Sequence, residues 1–167
     1  MSISQNYSTT RPSLNLNFAK SKTLDSRITF TRDTVATFVN EDGLIKTVAS
    51  GVPRFEHNPL TGECLGLLME QQSTNICLYS EQFDNATWSK TASTVTANSA
   101  TSPTGETTAD LFVEDTSSNG HTLAQSLTIS AGAIINWSCF VKRASGTRHV
   151  RLQVESNSGT NGFRAYA

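Results

Sequence analysis

The stretch "ATFVNEDGLIKTVASGVPRFEHNPLTGECLGLL", residues 36–68, contains two turn signals, each flanked by apolar runs. In the first, "NEDG" separates "ATFV" from "LIKTVA". In the second, Pro59 fixes one φ angle at the start of "NPLTG", and Gly62 tolerates the positive φ often needed at the end of a turn. The stretch therefore predicts two antiparallel hairpins.

The second hairpin also gathers Glu56, His57, Glu63 and Cys64 within nine positions. These residues form either a metal or catalytic cluster, or a hairpin whose turn brings polar side chains together. Successive strand residues point to opposite faces, so Glu56 and His57 should diverge, and zinc needs three or four convergent ligands. We therefore favour a hairpin without a site, and we expect replacement of Glu56, His57 or Glu63 by Ala to change stability by only about 0.5 kcal/mol.

Composition limits the class of protein. The chain has 167 residues, which fits one domain or a small domain with part of another, and its net charge of −1 with 16% charged residues gives no nucleic-acid footprint. Ser, Thr and Asn are abundant, which indicates a mainly β fold. Cys64, Cys77 and Cys139 lack CxxC spacing, so we expect free, buried thiols. No run resembles a signal peptide or a membrane span.

The chain divides into three predicted parts. Residues 1–13 form a polar arm, residues 14–87 form a β module, and residues 88–167 form an antiparallel, jelly-roll-like β-sandwich. The sandwich is either small or completed by neighbouring subunits. The predicted strands include "SLNLNFA", "RITFTR", a buried "LGLLME", "TASTVTAN", "TTADLFVED", "TLAQSLTIS", "IINWSCFVK" and "RHVRLQVES". The alternating residues assigned to the core in the last two are Ile135, Trp137, Cys139 and Val141, and Val150, Leu152 and Val154.

Candidate catalytic residues are present without a catalytic pattern. Glycoside hydrolysis needs two carboxyl groups at a fixed separation, and nothing in the spacing of the available ones selects a pair. No GxSxG elbow is present for a serine nucleophile. His121 and His149 are expected to be ordinary surface residues. The carboxyl groups considered are those of Glu56, Glu63, Glu70 and Asp110.

The elements "ITFTR", "ATFVN", "GLI", "VPRFEHNPLTGECLGLL" and "TNICLYSEQFDNATW" occur in this order. Over roughly residues 14–90, the chain resembles a recurrent module of bacteriophage tail-fibre and head-spike proteins, which has these elements in the same order. The following "SPTGETTADLFVED" is similar to the start of carbohydrate-binding jelly-roll segments that often follow the module.

This resemblance implies a non-enzymatic virion structural protein, without metal or cofactor, made in the host cytoplasm and built into the particle. It implies a homo-oligomer, most often a trimer, that attaches to other proteins of the head, neck or tail. The N-terminal end would face the virion, with Tyr7, Arg11 and Leu14 as anchoring residues. The alternative is a host-glycan-binding module, with Trp88 as the candidate sugar contact. Neither implies binding of nucleic acid or insertion into a membrane.

Overall fold

The computed structural model describes residues 14–130, 132–157 and 160–166, with side chains described as far as Gln153. The chain divides into two compact units. The first unit ends at Gln71 and the second begins at Gln72. The predicted mainly β fold is confirmed: in the described residues, most of the regular secondary structure is paired antiparallel strand, with one short helix, α1 (Phe18–Ser21). The sandwich arrangement stays a prediction.

The first unit contains two separate hairpins. One pairs β1 with β2 and the other pairs β3 with β4, both antiparallel. Both hairpins predicted from the turn signals are therefore confirmed. The strands are β1 (Ala36–Val39), β2 (Ile45–Val48), β3 (Phe55–His57) and β4 (Cys64–Leu67).

Asparagine side chains shape both turns. Asn40 Oδ1 accepts hydrogen bonds from the backbone N–H groups of Asp42 and Leu44, at 3.1 and 2.9 Å. Asn58 Oδ1 accepts from the N–H groups of Leu60 and Thr61, at 2.9 and 3.3 Å. Such local bonds replace backbone pairing within a turn.

The two turns lie against each other through glycine. A Cβ atom on Gly43 would stand 2.5 Å from the carbonyl oxygen of Pro59, and one on Gly62 would stand 2.8 Å from that of Glu41. Both glycines also have positive φ angles, of 76° and 70°. The approach of the hairpin tips therefore requires residues without a side chain.

Two predicted strands of the first unit are absent. "SLNLNFA" contains no strand, because Asn17 accepts a hydrogen bond from the Lys20 N–H at 3.2 Å and begins α1 at Phe18. "RITFTR" is also not a strand. Arg32 at its end instead binds the loop after β2: its guanidinium donates to the carbonyls of Ala49 and Val52.

The predicted buried strand "LGLLME" is only partly correct. Strand β4 ends at Leu67, and the side chains of Leu65 and Met69 are exposed. Leu65 is the extra residue of a bulge, since β3 pairs Glu56 with Gly66 and His57 with Cys64. Gly66 has a φ of 116°, which interrupts the regular strand.

The second unit contains a four-stranded antiparallel sheet in the order β5-β8-β10-β9 and a separate β6-β7 hairpin. Trp88, Leu123 and Leu127 are its buried apolar residues within the described part. The predicted strands "TASTVTAN", "TTADLFVED", "TLAQSLTIS" and "RHVRLQVES" are confirmed in part or whole. The strands are β5 (Ser89–Thr91), β6 (Ser93–Ala100), β7 (Ala109–Glu114), β8 (Thr122–Ser126), β9 (Arg151–Asn157) and β10 (Thr160–Tyr166).

The predicted strand "IINWSCFVK" is absent, and residues 134–144 form no strand. Cys139 and Val141 are exposed rather than in a core, while Ile135 and Trp137 are half-buried. In the following stretch Val150 and Leu152 are also exposed, and the side chain of Val154 lies outside the described part. The alternating pattern is typical of a strand, but no strand of the described residues pairs with this stretch.

The beginning of the second unit precedes the boundary predicted at residues 87 and 88. Leu78 exchanges two hydrogen bonds with the Gln125 amide of β8, at 2.9 and 2.8 Å. The Phe83 N–H donates to Asp110 of β7 at 2.7 Å. These bonds attach residues 78–83 to the second unit, whereas the composition of the sequence changes only later.

Candidate functional site

The polar residues of "RFEH" bind the outer edge of β1. Arg54 Nη1 donates to the Thr37 carbonyl at 2.8 Å. Glu56 Oε2 accepts from the Val39 N–H at 3.0 Å, and His57 Nδ1 lies 3.1 Å from the Val39 carbonyl oxygen. Three side chains thus take the positions that a neighbouring strand's backbone would occupy, and we call this the closed edge.

The pairing of the first hairpin explains why the backbone groups of Thr37 and Val39 are available to side chains. The Asn40 N–H donates to the Leu44 carbonyl at 2.9 Å. Every second residue of β1, counted back from Asn40, therefore directs its backbone N–H and C=O groups towards β2. Thr37 and Val39 consequently direct their backbone groups away from β2. A backbone donor or acceptor buried without a partner is costly, so the side chains of the second hairpin stabilise this edge.

Arg54 is the most buried member of the closed edge, with only 4% of its side chain exposed. Its Nη1 also contacts Glu70 Oε1 at 2.8 Å, and Glu70 itself is more than half exposed. The Arg54 carbonyl accepts the Leu68 N–H at 2.9 Å. The residue therefore links three segments, and the sequence analysis did not identify it.

His57 is also buried, at 6% exposure. A carbonyl oxygen can only accept, so Nδ1 is the donor in this contact, and Nε2 is buried without a hydrogen-bond partner among the described residues. The prediction that Glu56 and His57 diverge to opposite faces is wrong, because both side chains reach backbone atoms of Val39. The prediction that both are surface bystanders is wrong for the same reason, whereas Glu63 is exposed as expected.

This geometry does not form a metal centre. In the described ranges, no group of three His, Cys, Asp or Glu residues is placed to hold a metal ion. The three thiols are free; Cys64 and Cys77 are half-buried and Cys139 is exposed, so the expectation of buried thiols is wrong. Burial raises the pKa of the Cys77 thiol above its ordinary value. The polar cluster is explained by the hydrogen bonds of the closed edge.

Trp88, the candidate sugar contact, is packed inside the second unit with 4% exposure. Its ring meets that of Phe83 edge to face, with centroids 5.0 Å apart, and its indole N–H donates to the Tyr79 carbonyl at 2.9 Å. Sugar stacking uses an open aromatic face, and this ring does not present one. The geometry is that of a core residue whose polar atom is satisfied.

A half-open polar cavity of about 280 Å³ lies beside this core. Asp110 is at its wall, but its two carboxylate oxygens accept the backbone N–H groups of Phe83 and Asn98, at 2.7 and 3.0 Å. Lys90 Nζ similarly donates to three carbonyls, those of Asp84, Asn85 and Trp88. The charged groups here organise a loop. The other residues lining the cavity are Glu81, Gln82, Asp84, Ala97, Asn98 and Thr108.

His121 is buried, so its prediction as a surface residue is wrong, whereas His149 is exposed as predicted. His121 Nδ1 lies 2.7 Å from the Ala92 carbonyl and 3.6 Å from Asp115 Oδ1. The pKa of Asp115 is held below its ordinary value, chiefly by a hydrogen bond from the Ser117 hydroxyl, then by the Ser117 N–H and the nearby His121.

A signal for the buried polar residues was present in "HTLAQSL". His121, Leu123, Gln125 and Leu127 alternate with more exposed residues and are all buried. A polar residue in phase with two buried leucines indicates a satisfied core position rather than a surface one. This period would have identified Gln125 and His121 together.

The predicted anchoring residues are only partly described. Tyr7 and Arg11 lie outside the described residues, and Leu14 is exposed. None of the helices in the described part of the chain is long and apolar enough to cross a membrane.

No family model, curated protein or solved structure matches this chain.

Proposed function

We propose that the chain is a bacteriophage virion structural protein, a fibre or spike component that attaches to the particle through its N-terminal part. The observation that carries the proposal is the ordered run of sequence elements over roughly residues 14–90, which resembles the tail-fibre and head-spike module. The antiparallel hairpins formed by this run are compatible with a rigid connector.

A scaffold role agrees with how the most reactive residue types are used. Arg54, Glu56 and His57 bind backbone groups of β1, and Asp110 binds backbone groups of the second unit. A catalytic acid or base needs access to a substrate proton. We therefore propose a non-enzymatic protein, and incubation with host polysaccharide should release no reducing sugar.

Self-association is the second part of the proposal. Large apolar side chains are exposed in the second unit, including those of Ile134 and Phe140. Exposed apolar surface and open strand edges favour association with another chain. We propose a homo-oligomer, with a trimer as the expected state. Light scattering that shows a folded monomer at micromolar concentration would contradict this part.

The attachment is tested by incorporation into particles. A chain lacking residues 1–13 should remain folded, as judged by its circular dichroism and urea midpoint, yet enter purified particles several-fold less well than the complete chain. The paired substitution Tyr7→Ala with Arg11→Ala should reproduce the loss, and Ser8→Ala with Thr9→Ala is the matched control. Equal incorporation of all four chains would remove the anchoring role. Cryo-EM of particles would then show whether the chain is present at all.

A further inference from the structure

The dipeptide Asn-Gly occurs twice in the chain, at residues 119–120 and 161–162. An asparagine followed by glycine can modify itself, because the glycine nitrogen can attack the side-chain amide carbon of the asparagine. Glycine favours this attack, since it has no side chain to hinder the approach. The attack also needs an accessible nitrogen and a backbone that can rotate, so the surroundings of each dipeptide decide whether it reacts.

The first dipeptide lies in the loop between β7 and β8. Asn119 and Gly120 are both exposed and belong to no strand. Neither the Asn119 side chain nor the Gly120 N–H forms a hydrogen bond with the described residues. A Cβ atom on Gly120 would meet nothing within 4 Å, so the space beside this residue is open as well. Exposed loop tips are also where proteins tolerate covalent change most readily.

The second dipeptide lies within β10, which has a strand on either side in the sheet. Gly162 pairs with Ser126 of β8 and with Glu155 of β9. A backbone held in a sheet cannot rotate until the strands separate, and such openings are rare in the folded state. The same dipeptide is therefore protected at residues 161–162 and accessible at residues 119–120.

We propose that Asn119 is a site of spontaneous deamidation. The Gly120 backbone nitrogen bonds to Asn119 Cγ and loses its proton, and the side-chain amide nitrogen leaves as ammonia, which gives a cyclic succinimide. Water then adds to one of the two ring carbonyls and breaks its bond to the Gly120 nitrogen. Opening at one carbonyl gives aspartate, and opening at the other gives isoaspartate. The only co-reactant is water, and no electrons are transferred.

The modified loop is one whose two ends bind the same atom. The Asp115 N–H donates to the Ala92 carbonyl oxygen at 2.9 Å, and His121 Nδ1 lies 2.7 Å from that oxygen. Isoaspartate adds one atom to the main chain between these two contacts. The loop can accommodate this atom only by bulging or by weakening one of them, so we expect isoaspartate to lower the stability of the second unit. The inference depends on the folded chain alone and is independent of the proposed function.

Peptide mapping by mass spectrometry tests the proposal on the full chain after incubation at neutral pH. We expect deamidation at Asn119 to be at least about tenfold faster than at Asn161, because reaction at Asn161 waits for the sheet to open. In concentrated urea the two sites should react at similar rates. Isoaspartate should form at residue 119, since direct hydrolysis of the side-chain amide cannot produce it.

The matched variant is Gly120→Ala, which hinders the attack but not the fold. The φ of Gly120 is outside the left-handed region and its Cβ position is open, so the variant should not lower the urea midpoint. It should slow deamidation at Asn119 about tenfold. Asn119→Asp is the second variant, because it adds the negative charge without lengthening the main chain. A chain enriched in isoaspartate should have a lower urea midpoint than Asn119→Asp.

Equal rates at Asn119 and Asn161 in the folded chain would overturn the proposal. So would an Asn119 that stays unmodified while the unfolded chain reacts at both sites, or that yields aspartate without isoaspartate. Equal urea midpoints of the isoaspartate form and Asn119→Asp would contradict the effect on the loop.

Discussion

The outer edges of β1 and β9 present the same problem and differ in its solution. At β1, Arg54 and His57 bind the backbone carbonyls of Thr37 and Val39. At β9, the strand order of the sheet ends, and no further described strand pairs with it. Side chains from a neighbouring element therefore cover the edge of β1, and the order of strands in a sheet does not by itself say whether an edge is exposed.

The largest effect is expected at the contact between the two hairpin tips. The same two hairpins form the closed edge. Gly43→Ala should lower the free energy of unfolding by about 3–4 kcal/mol, because the new Cβ meets the Pro59 carbonyl and the φ is positive. Gly51→Ala is the control: its φ is also positive but nothing lies within 4 Å, so it should cost only about 1–2 kcal/mol. Urea denaturation measures the free energy of unfolding of both variants. Equal losses would show that the contact between the hairpin tips contributes no stability.

Two ion pairs of equal length sharpen the comparison, since Arg54–Glu70 and Arg148–Glu114 are both 2.8 Å long. Arg54→Ala should cost about 2–3 kcal/mol, because it removes a buried side chain and leaves the Thr37 carbonyl unpaired. Arg148→Ala should cost less than about 1 kcal/mol, because that guanidinium is mostly exposed. A similar loss from both would mean that burial does not distinguish the two ion pairs. Thermal unfolding of both variants provides the measurement.

A smaller loss is expected at His57. His57→Ala should cost about 1–2 kcal/mol, because the Val39 carbonyl loses its partner. The exposed His149→Ala should stay within about 0.5 kcal/mol. If His57→Ala were neutral, the closed edge would depend on Arg54 and Glu56 alone. Stoichiometric zinc that is lost with His57 would instead revive the metal interpretation.

The smallest effect is a pH dependence in the second unit, where a side chain also binds local backbone. The pKa of Asp115 is below its ordinary 3.8, so its contribution is present above that value and is lost as the pH falls through the folded pKa. Ser117→Ala removes the main cause, so it should lower the urea midpoint at about pH 6 and converge with the unmodified chain near about pH 2. Ser118→Ala serves as the control. A pH-independent difference would contradict the assignment.

The predictable parts of the fold are those with local causes. "NEDG" and "NPLTG" form their turns through Asn40 and Asn58, whose bonds reach only two to four residues along the chain. "SLNLNFA" has strand alternation, yet the cap at Asn17 favours a helical turn. A period of two in the sequence therefore predicts a strand only where a partner strand is present to pair with the segment.

The closed edge was less accessible to prediction because its contacts are distant in sequence. His57 and Val39 are 18 positions apart, and Arg54 and Thr37 are 17 apart. The pairing of β3 with β4 is also irregular beside Glu56, where Leu65 is the extra residue, whereas the prediction of opposite faces assumed regular strands. By contrast, the burial of Gln125 and His121 was encoded locally, in the alternation of "HTLAQSL".

The two bonds between Leu78 and the Gln125 side chain have a consequence for hydrogen–deuterium exchange. Leu78 belongs to no strand, yet its amide is held by an oxygen whose side chain is rooted in a central strand of the sheet. Exchange at this amide therefore requires Gln125 to move away or the sheet to open. A short peptide around residue 78 would consequently report on the opening of a sheet to which it does not belong.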